Sequence, residues 1–73
     1  MVTKRRDVIS RISEAAKALG LSWVEIREGA NHTVYGLDGL RIPIARHRDI
    51  DDQMARVIYK ECEPKLGEKW WTK

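Results

Sequence analysis

The sequence predicts a small α+β domain in the order α-β-β-β-α, a three-stranded antiparallel meander with two helices on one face. Three observations carry this reading. Residues 4–19 repeat apolar side chains at three- and four-residue spacing. Asp38-Gly39, a dipeptide favoured in two-residue type I′ turns, separates two short strand-like runs. Met54, Val57, Ile58 and Cys62 then return to helical spacing. A chain of 73 residues makes one domain, 1–73, and a domain this small buries only about 60% of its unfolded surface. Both helices must therefore share one face of the sheet.

In the first helix, expected from Lys4 to Leu19, the apolar positions are Val8, Ile9, Ile12, Ala15, Ala16 and Leu19. Thr3 is the expected N-cap, and Gly20 followed by Leu21 suits a left-handed Schellman ending. Residues 22–28 alternate as a half-buried strand, with Val24 and Ile26 on one side and Trp23, Glu25 and Arg27 on the other. His32 to Leu37 and Leu40 to Ala45 are the next two strands. Pro43 has no N–H to donate, which places the last of them at the sheet edge. A second helix is expected from about Asp51 to Glu63, with Asp49, Asp51 and Asp52 at the positive end of its dipole. Pro64 is expected to end it. The remaining segment, 64–73, carries Trp70 and Trp71 and is expected to dock as a tail.

A two-residue turn at Asp38-Gly39 fixes the hairpin register. Leu37 pairs with Leu40, Tyr35 with Ile42, Val34 with Pro43, Thr33 with Ile44 and His32 with Ala45. Tyr35, Leu37, Leu40, Ile42 and Ile44 then face the helices, while His32, Val34, Gly36, Arg41 and Pro43 face away. If Val24 and Ile26 also face the helices, Arg27 lies opposite His32 and residues 28–31 form the loop, where Gly29 and Asn31 tolerate positive φ. The open face would then gather Trp23, Glu25, Arg27, His32 and Arg41. An imidazole among guanidinium groups suits phosphodiester chemistry, which needs a proton acceptor with pKa near neutrality and fixed cations for the developing charge.

The chain carries 14 lysines and arginines against 11 acidic residues, a net charge of +3 that permits a polyanionic partner without requiring one. The basic residues group in Lys4-Arg5-Arg6 with Arg11, and in Arg41 and Arg46-His47-Arg48. No apolar run approaches the roughly 20 residues a bilayer crossing needs. Residues 1–6 lead into charged helix rather than a signal-peptide core, so the expected location is the cytoplasm. Cys62 is the single cysteine, which leaves no internal disulfide and no Cys-x-x-Cys pair. His32 and His47 match no common zinc spacing, and neither a metal nor another cofactor is expected.

Three segments together, Lys4-Arg5-Arg6-Asp7-Val8-Ile9, Gly29-Ala30-Asn31-His32 and Ile42-Pro43-Ile44-Ala45-Arg46-His47-Arg48-Asp49-Ile50, resemble the HicA family of mRNA interferase toxins over nearly the whole chain. The resemblance implies a fold like that of double-stranded-RNA-binding domains. It also implies metal-independent cleavage of mRNA, and inhibition by a cognate HicB-type antitoxin protein. The family's catalytic histidine, in a Gly-(Ser/Thr)-His motif, matches His32, although Ala30-Asn31 stand where the family has its hydroxyl-bearing step. His47 matches a histidine of the family's Pro-x-His stretch and is a candidate general acid.

The expected catalytic residues are therefore His32 and His47, and the expected RNA contacts are Lys4, Arg5, Arg6, Arg27, Arg41, Arg46 and Arg48. Plainer roles stand beside these. The basic start of the first helix would serve equally as a solvated helix end. Trp23 suits either base stacking or anchoring of the tail tryptophans. Cys62 on an apolar stripe reads as a small buried hydrophobe. Two alternative functions remain open: a non-catalytic RNA-binding module of the same fold, and an inactive toxin-like protein-interaction domain. Acidic residues at the start of the second helix weigh against the first of these, because duplex-RNA binders bring lysines there.

Overall fold

The computed structural model describes residues 2–72; Met1 and Lys73, the last residue of the expected tail, lie outside them. The elements are β1 (Val2–Lys4), α1 (Arg5–Ala18), β2 (Trp23–Glu28), β3 (His32–Leu37), β4 (Leu40–Ala45), β5 (Asp49–Asp51), α2 (Asp52–Glu61) and α3 (Glu63–Leu66). A 3-10 turn follows at Trp70–Thr72. Strands β2, β3 and β4 form the antiparallel meander, and α1 and α2 pack on one face of it, giving the expected α+β arrangement. No helix among the described residues is long and apolar enough to cross a membrane.

The core joins Val8, Ile12 and Ala16 of α1 to Leu37, Ile42 and Ile44 of the sheet and to Ala55, Ile58, Tyr59 and Cys62 around α2. Ala16 and Lys17 carbonyls accept the Leu21 and Gly20 amides at 2.8 and 3.1 Å, which is the Schellman closure that Gly20 allows. Leu19, however, is exposed. In α2 the buried stripe is Ala55, Ile58 and Tyr59, while Met54 and Val57, two of the apolar positions whose spacing predicted the helix, are exposed. Cys62 is fully buried, and desolvation, then the neighbouring Glu61 charge, push its thiol up to about 12.

The two ends of the chain's basic segments meet in an element that hydropathy does not reveal. β1 pairs antiparallel with β5, Thr3 opposite Ile50, in a separate two-stranded sheet. This removes Thr3 from the N-cap position, which Lys4 occupies without a side-chain cap. The Thr3 hydroxyl instead donates to Asp52 at 3.0 Å. Asp51 caps α2 by accepting from the Gln53 amide, and Asp49 pairs with Lys4 at 3.1 Å. All three aspartates are thus engaged within the domain.

Helix α2 stops at Glu61, two residues before the expected end, and Pro64 lies inside α3 rather than after the last helix. Proline is tolerated there because first-turn N–H groups have no intrahelical acceptor. Beyond Gly67, the Trp70 indole donates to the Tyr59 carbonyl at 2.8 Å, and both tryptophan rings pack on the Tyr59 ring.

The hairpin follows the register its turn dictates. Asp38 and Gly39 both take positive φ, 51° and 90°, and all six β3–β4 pairs from His32–Ala45 to Leu37–Leu40 are formed. The first strand departs from expectation. Trp23 pairs with Leu37 and Glu25 with Tyr35, a one-residue shift from the expected alignment that turns every side chain in this half to the other face. An irregularity at Ile26 then shifts the pairing again, so that Arg27 lies opposite Val34 and Glu28 opposite Thr33. Arg27 thereby keeps the open face. Val24 and Ile26 move onto it, 54% and 50% exposed.

Gly36 gives the physical reason for this shift. A methyl group on Gly36 would lie 2.7 Å from Ile26 Cδ1 and 3.6 Å from Val24 Cγ2, so the glycine leaves the space these two side chains fill. On the helix side, Trp23 stacks on Tyr35 with centroids 4.6 Å apart and planes 4° from parallel. That contact is neither of the roles expected for Trp23. The loop is also shorter and more regular than expected: Gly29 donates to the His32 carbonyl at 2.8 Å, and neither Gly29 nor Asn31 has positive φ.

Candidate functional site

The end of the meander opposite the Asp38-Gly39 turn, where His32 and Ala45 pair, is the end of the sheet at which most expected site residues collect. On the open face a depression of about 250 Å³ is lined by Arg27, Gly29, Ala30, Asn31, His32 and Val34. It adjoins another of about 350 Å³ lined by Ile26, Arg27, Val34, Arg41 and Pro43. Arg27 and Val34 border both. His32, Arg27 and Arg41 therefore lie along one continuous surface, as the alternation of β3 and β4 requires. Trp23 and Glu25 do not belong to it. His32 is exposed, as are Arg27 and Arg41.

The remaining expected contacts make a second surface. Lys4, Arg5, Arg6, Arg46 and Arg48 line a depression of about 370 Å³ where the start of α1 meets the segment between β4 and β5. Backbone pairing brings these two basic segments together: the Arg5 amide donates to the Arg48 carbonyl at 2.9 Å, next to the β1–β5 ladder. His47 is exposed in the same segment but lines neither this depression nor the two on the open face.

Two of these arginines also hold the histidine's strand end in place. Arg5 Nε donates to the Ala45 carbonyl at 3.0 Å and Arg5 Nη2 to the Thr33 hydroxyl at 2.9 Å. Ala45 is the pairing partner of His32, and Thr33 is its chain neighbour. Arg46 grips the loop before His32 from the other side. Its Nη1 donates to the Gly29 carbonyl at 2.9 Å, its amide donates to the Asn31 carbonyl at 3.0 Å, and Nη2 lies 3.4 Å from Glu28 Oε1. Short loops bound at both ends keep a side chain's position without burying it, which is what an exposed functional residue needs.

Thr33, Glu28 and Val34 are the participants that residue types alone do not single out. A fully buried threonine is noticeable only once the helix-facing register is known, and its hydroxyl then requires a donor or acceptor. Cys62, sealed in the core, is not an available nucleophile. Among the described residues no three His, Cys, Asp or Glu side chains come together to hold a metal ion. Comparison of the chain with protein-family models, with curated proteins and with solved structures gives no match.

Proposed function

We propose that the chain is an RNA-cleaving toxin of the HicA type, an mRNA interferase acting in the cytoplasm with His32 as general base. The observation that carries this reading is that His32 and Arg27 border one exposed depression on the open sheet face, with Arg41 lining its continuation. An imidazole there removes the proton from a ribose 2′-hydroxyl, and the 2′-oxygen attacks the adjacent phosphorus. The bond from phosphorus to the 5′-oxygen breaks, and that oxygen takes a proton from solvent. Arg27 and Arg41 stabilise the charge that grows on the phosphoryl oxygens. His47, considered for the acid role, does not line the His32 depression, and no proton is assigned to it.

The experiment is cleavage of an RNA compared with its 2′-O-methyl counterpart, with the product ends identified. Fragments ending in 2′,3′-cyclic phosphate from the RNA, and none from the methylated strand, are expected. Cleavage of both strands would remove the 2′-hydroxyl from the reaction.

A HicB-type antitoxin is the partner we propose for the open face. Exposed Val24 and Ile26 beside Arg27 and Arg41 supply the apolar centre and arginine border common at protein interfaces. Amide hydrogen exchange on the complex should show protection in β2 and β3; protection confined to the helices would count against it. The element order also supports a non-catalytic RNA-binding module. Tight duplex binding without cleavage would favour that second reading.

A further inference from the structure

We propose that the depression lined by Lys4, Arg5, Arg6, Arg46 and Arg48 binds the terminal phosphate monoester of an RNA strand, and so distinguishes phosphorylated ends from hydroxyl ends. The inference rests on the reading that the chain binds RNA, but not on cleavage or on His32.

Five cations converge on this depression from two chain segments, and among the described residues only two carboxylates pair with them, Asp49 with Lys4 and Glu28 with Arg46. Three positive charges remain in surplus. An internal phosphodiester brings one negative charge and two unesterified oxygens. A terminal monoester brings about −1.5 to −2 charges and three acceptor oxygens at neutral pH, and matches the surplus better. Arginine is also the side chain best shaped for phosphate, since its planar fork donates two parallel hydrogen bonds. Four of the five lining residues are arginines, and among the described residues the Arg6 and Arg48 side chains make no hydrogen bond or ion pair.

The helix beside the depression adds to this attraction. Lys4, at the N-cap of α1, provides no side-chain cap, and the Thr3 hydroxyl that sequence would place there is drawn to Asp52. The first amide, Arg5 N–H, is taken by the Arg48 carbonyl. Among the described residues no side chain caps the next amides of the first turn, and the partial positive charge of the helix end acts in the same direction as the guanidinium groups. Asp7, the acidic residue of that turn, does not line the depression. Concavity matters as well. An extended strand can follow a flat basic stripe through its diesters, whereas a concave group of cations admits an end more readily than a continuous backbone.

The test uses the full chain and a short single-stranded 2′-O-methyl RNA, which binds without being cut, carrying a 5′-phosphate, a 3′-phosphate or hydroxyls at both ends. One phosphorylated form should bind about tenfold more tightly than the hydroxyl form, the size of one good charge-assisted contact. Arg6→Gln and Arg48→Gln should each reduce that ratio while leaving the melting temperature unchanged, since both side chains are exposed. Equal affinity for all three strands would overturn the inference while leaving RNA binding intact. Equal competition by a mononucleotide 5′-phosphate would overturn its assignment to RNA ends. Absence of binding to every strand would instead remove the RNA reading itself.

Discussion

The Arg5 guanidinium donates to the hydroxyl of Thr33 at 2.9 Å, joining the first turn of α1 to the strand that begins with His32. Thr33 is fully buried, and Arg5 is the side chain that satisfies its hydroxyl. Replacing Arg5 with methionine keeps much of the aliphatic stem but strands that hydroxyl and the Ala45 carbonyl. A loss of about 1–3 kcal/mol is expected, the usual penalty for an unsatisfied buried polar group. Adding Thr33→Val should recover part of it, with a coupling of about 0.5 kcal/mol or more in urea unfolding. Strict additivity of the two substitutions would show that the pair does not interact.

The turn at Asp38-Gly39 should be sensitive at its second residue. Among the described residues nothing lies within 4 Å of the space a Gly39 side chain would enter, so the cost of Gly39→Ala comes from backbone conformation at φ 90°. A loss of about 1–3 kcal/mol is expected, because L-residues avoid that region. Asp38→Asn should be nearly neutral, since asparagine favours the same conformation and the Lys65 partner of Asp38 is an exposed ion pair. A destabilised Asp38→Asn with a neutral Gly39→Ala would contradict a type I′ turn.

Burial of Cys62 predicts both slow chemistry and a pH effect. Its thiol is raised by desolvation, then by Glu61, from 9.0 to about 12. The folded state therefore favours the protonated form. This contribution to stability is fully present below pH 9 and declines as pH rises through the window up to about 12. Thiol reagents at pH 8 should modify the unfolded chain and spare the folded one. Urea midpoints should fall above pH 9, with a smaller fall in Cys62→Ala. Rapid labelling of the native protein would show that the thiol is not enclosed.

These residues also show what the sequence could and could not convey. The β3–β4 register was legible because one dipeptide dictates a turn of fixed length, and a fixed turn decides which side of the strand His32 occupies. The β2–β3 register was not. Alternation placed Val24 and Ile26 in the core, but a glycine in the partner strand offered them space on the other face, and period-two reasoning does not register a space without a side chain. Arg27 kept its expected face only because the irregularity at Ile26 offset the first shift. The β1–β5 pairing was equally hidden, since two three-residue strands far apart in sequence have too few residues for a hydrophobic pattern. That pairing builds the basic depression, so charge clustering was readable but its concave arrangement was not.

The central claim is that His32 performs the proton transfer in RNA cleavage. Its exposed position means that His32→Ala should fold as the wild type does, which circular dichroism and the melting temperature would check. The direct measurement is the rate at which each protein cleaves a labelled mRNA in the presence of EDTA. Removal of a general base is expected to slow cleavage by about 10²–10⁴-fold, with RNA binding retained. Equal rates for the folded variant and the wild type would contradict the assignment of His32.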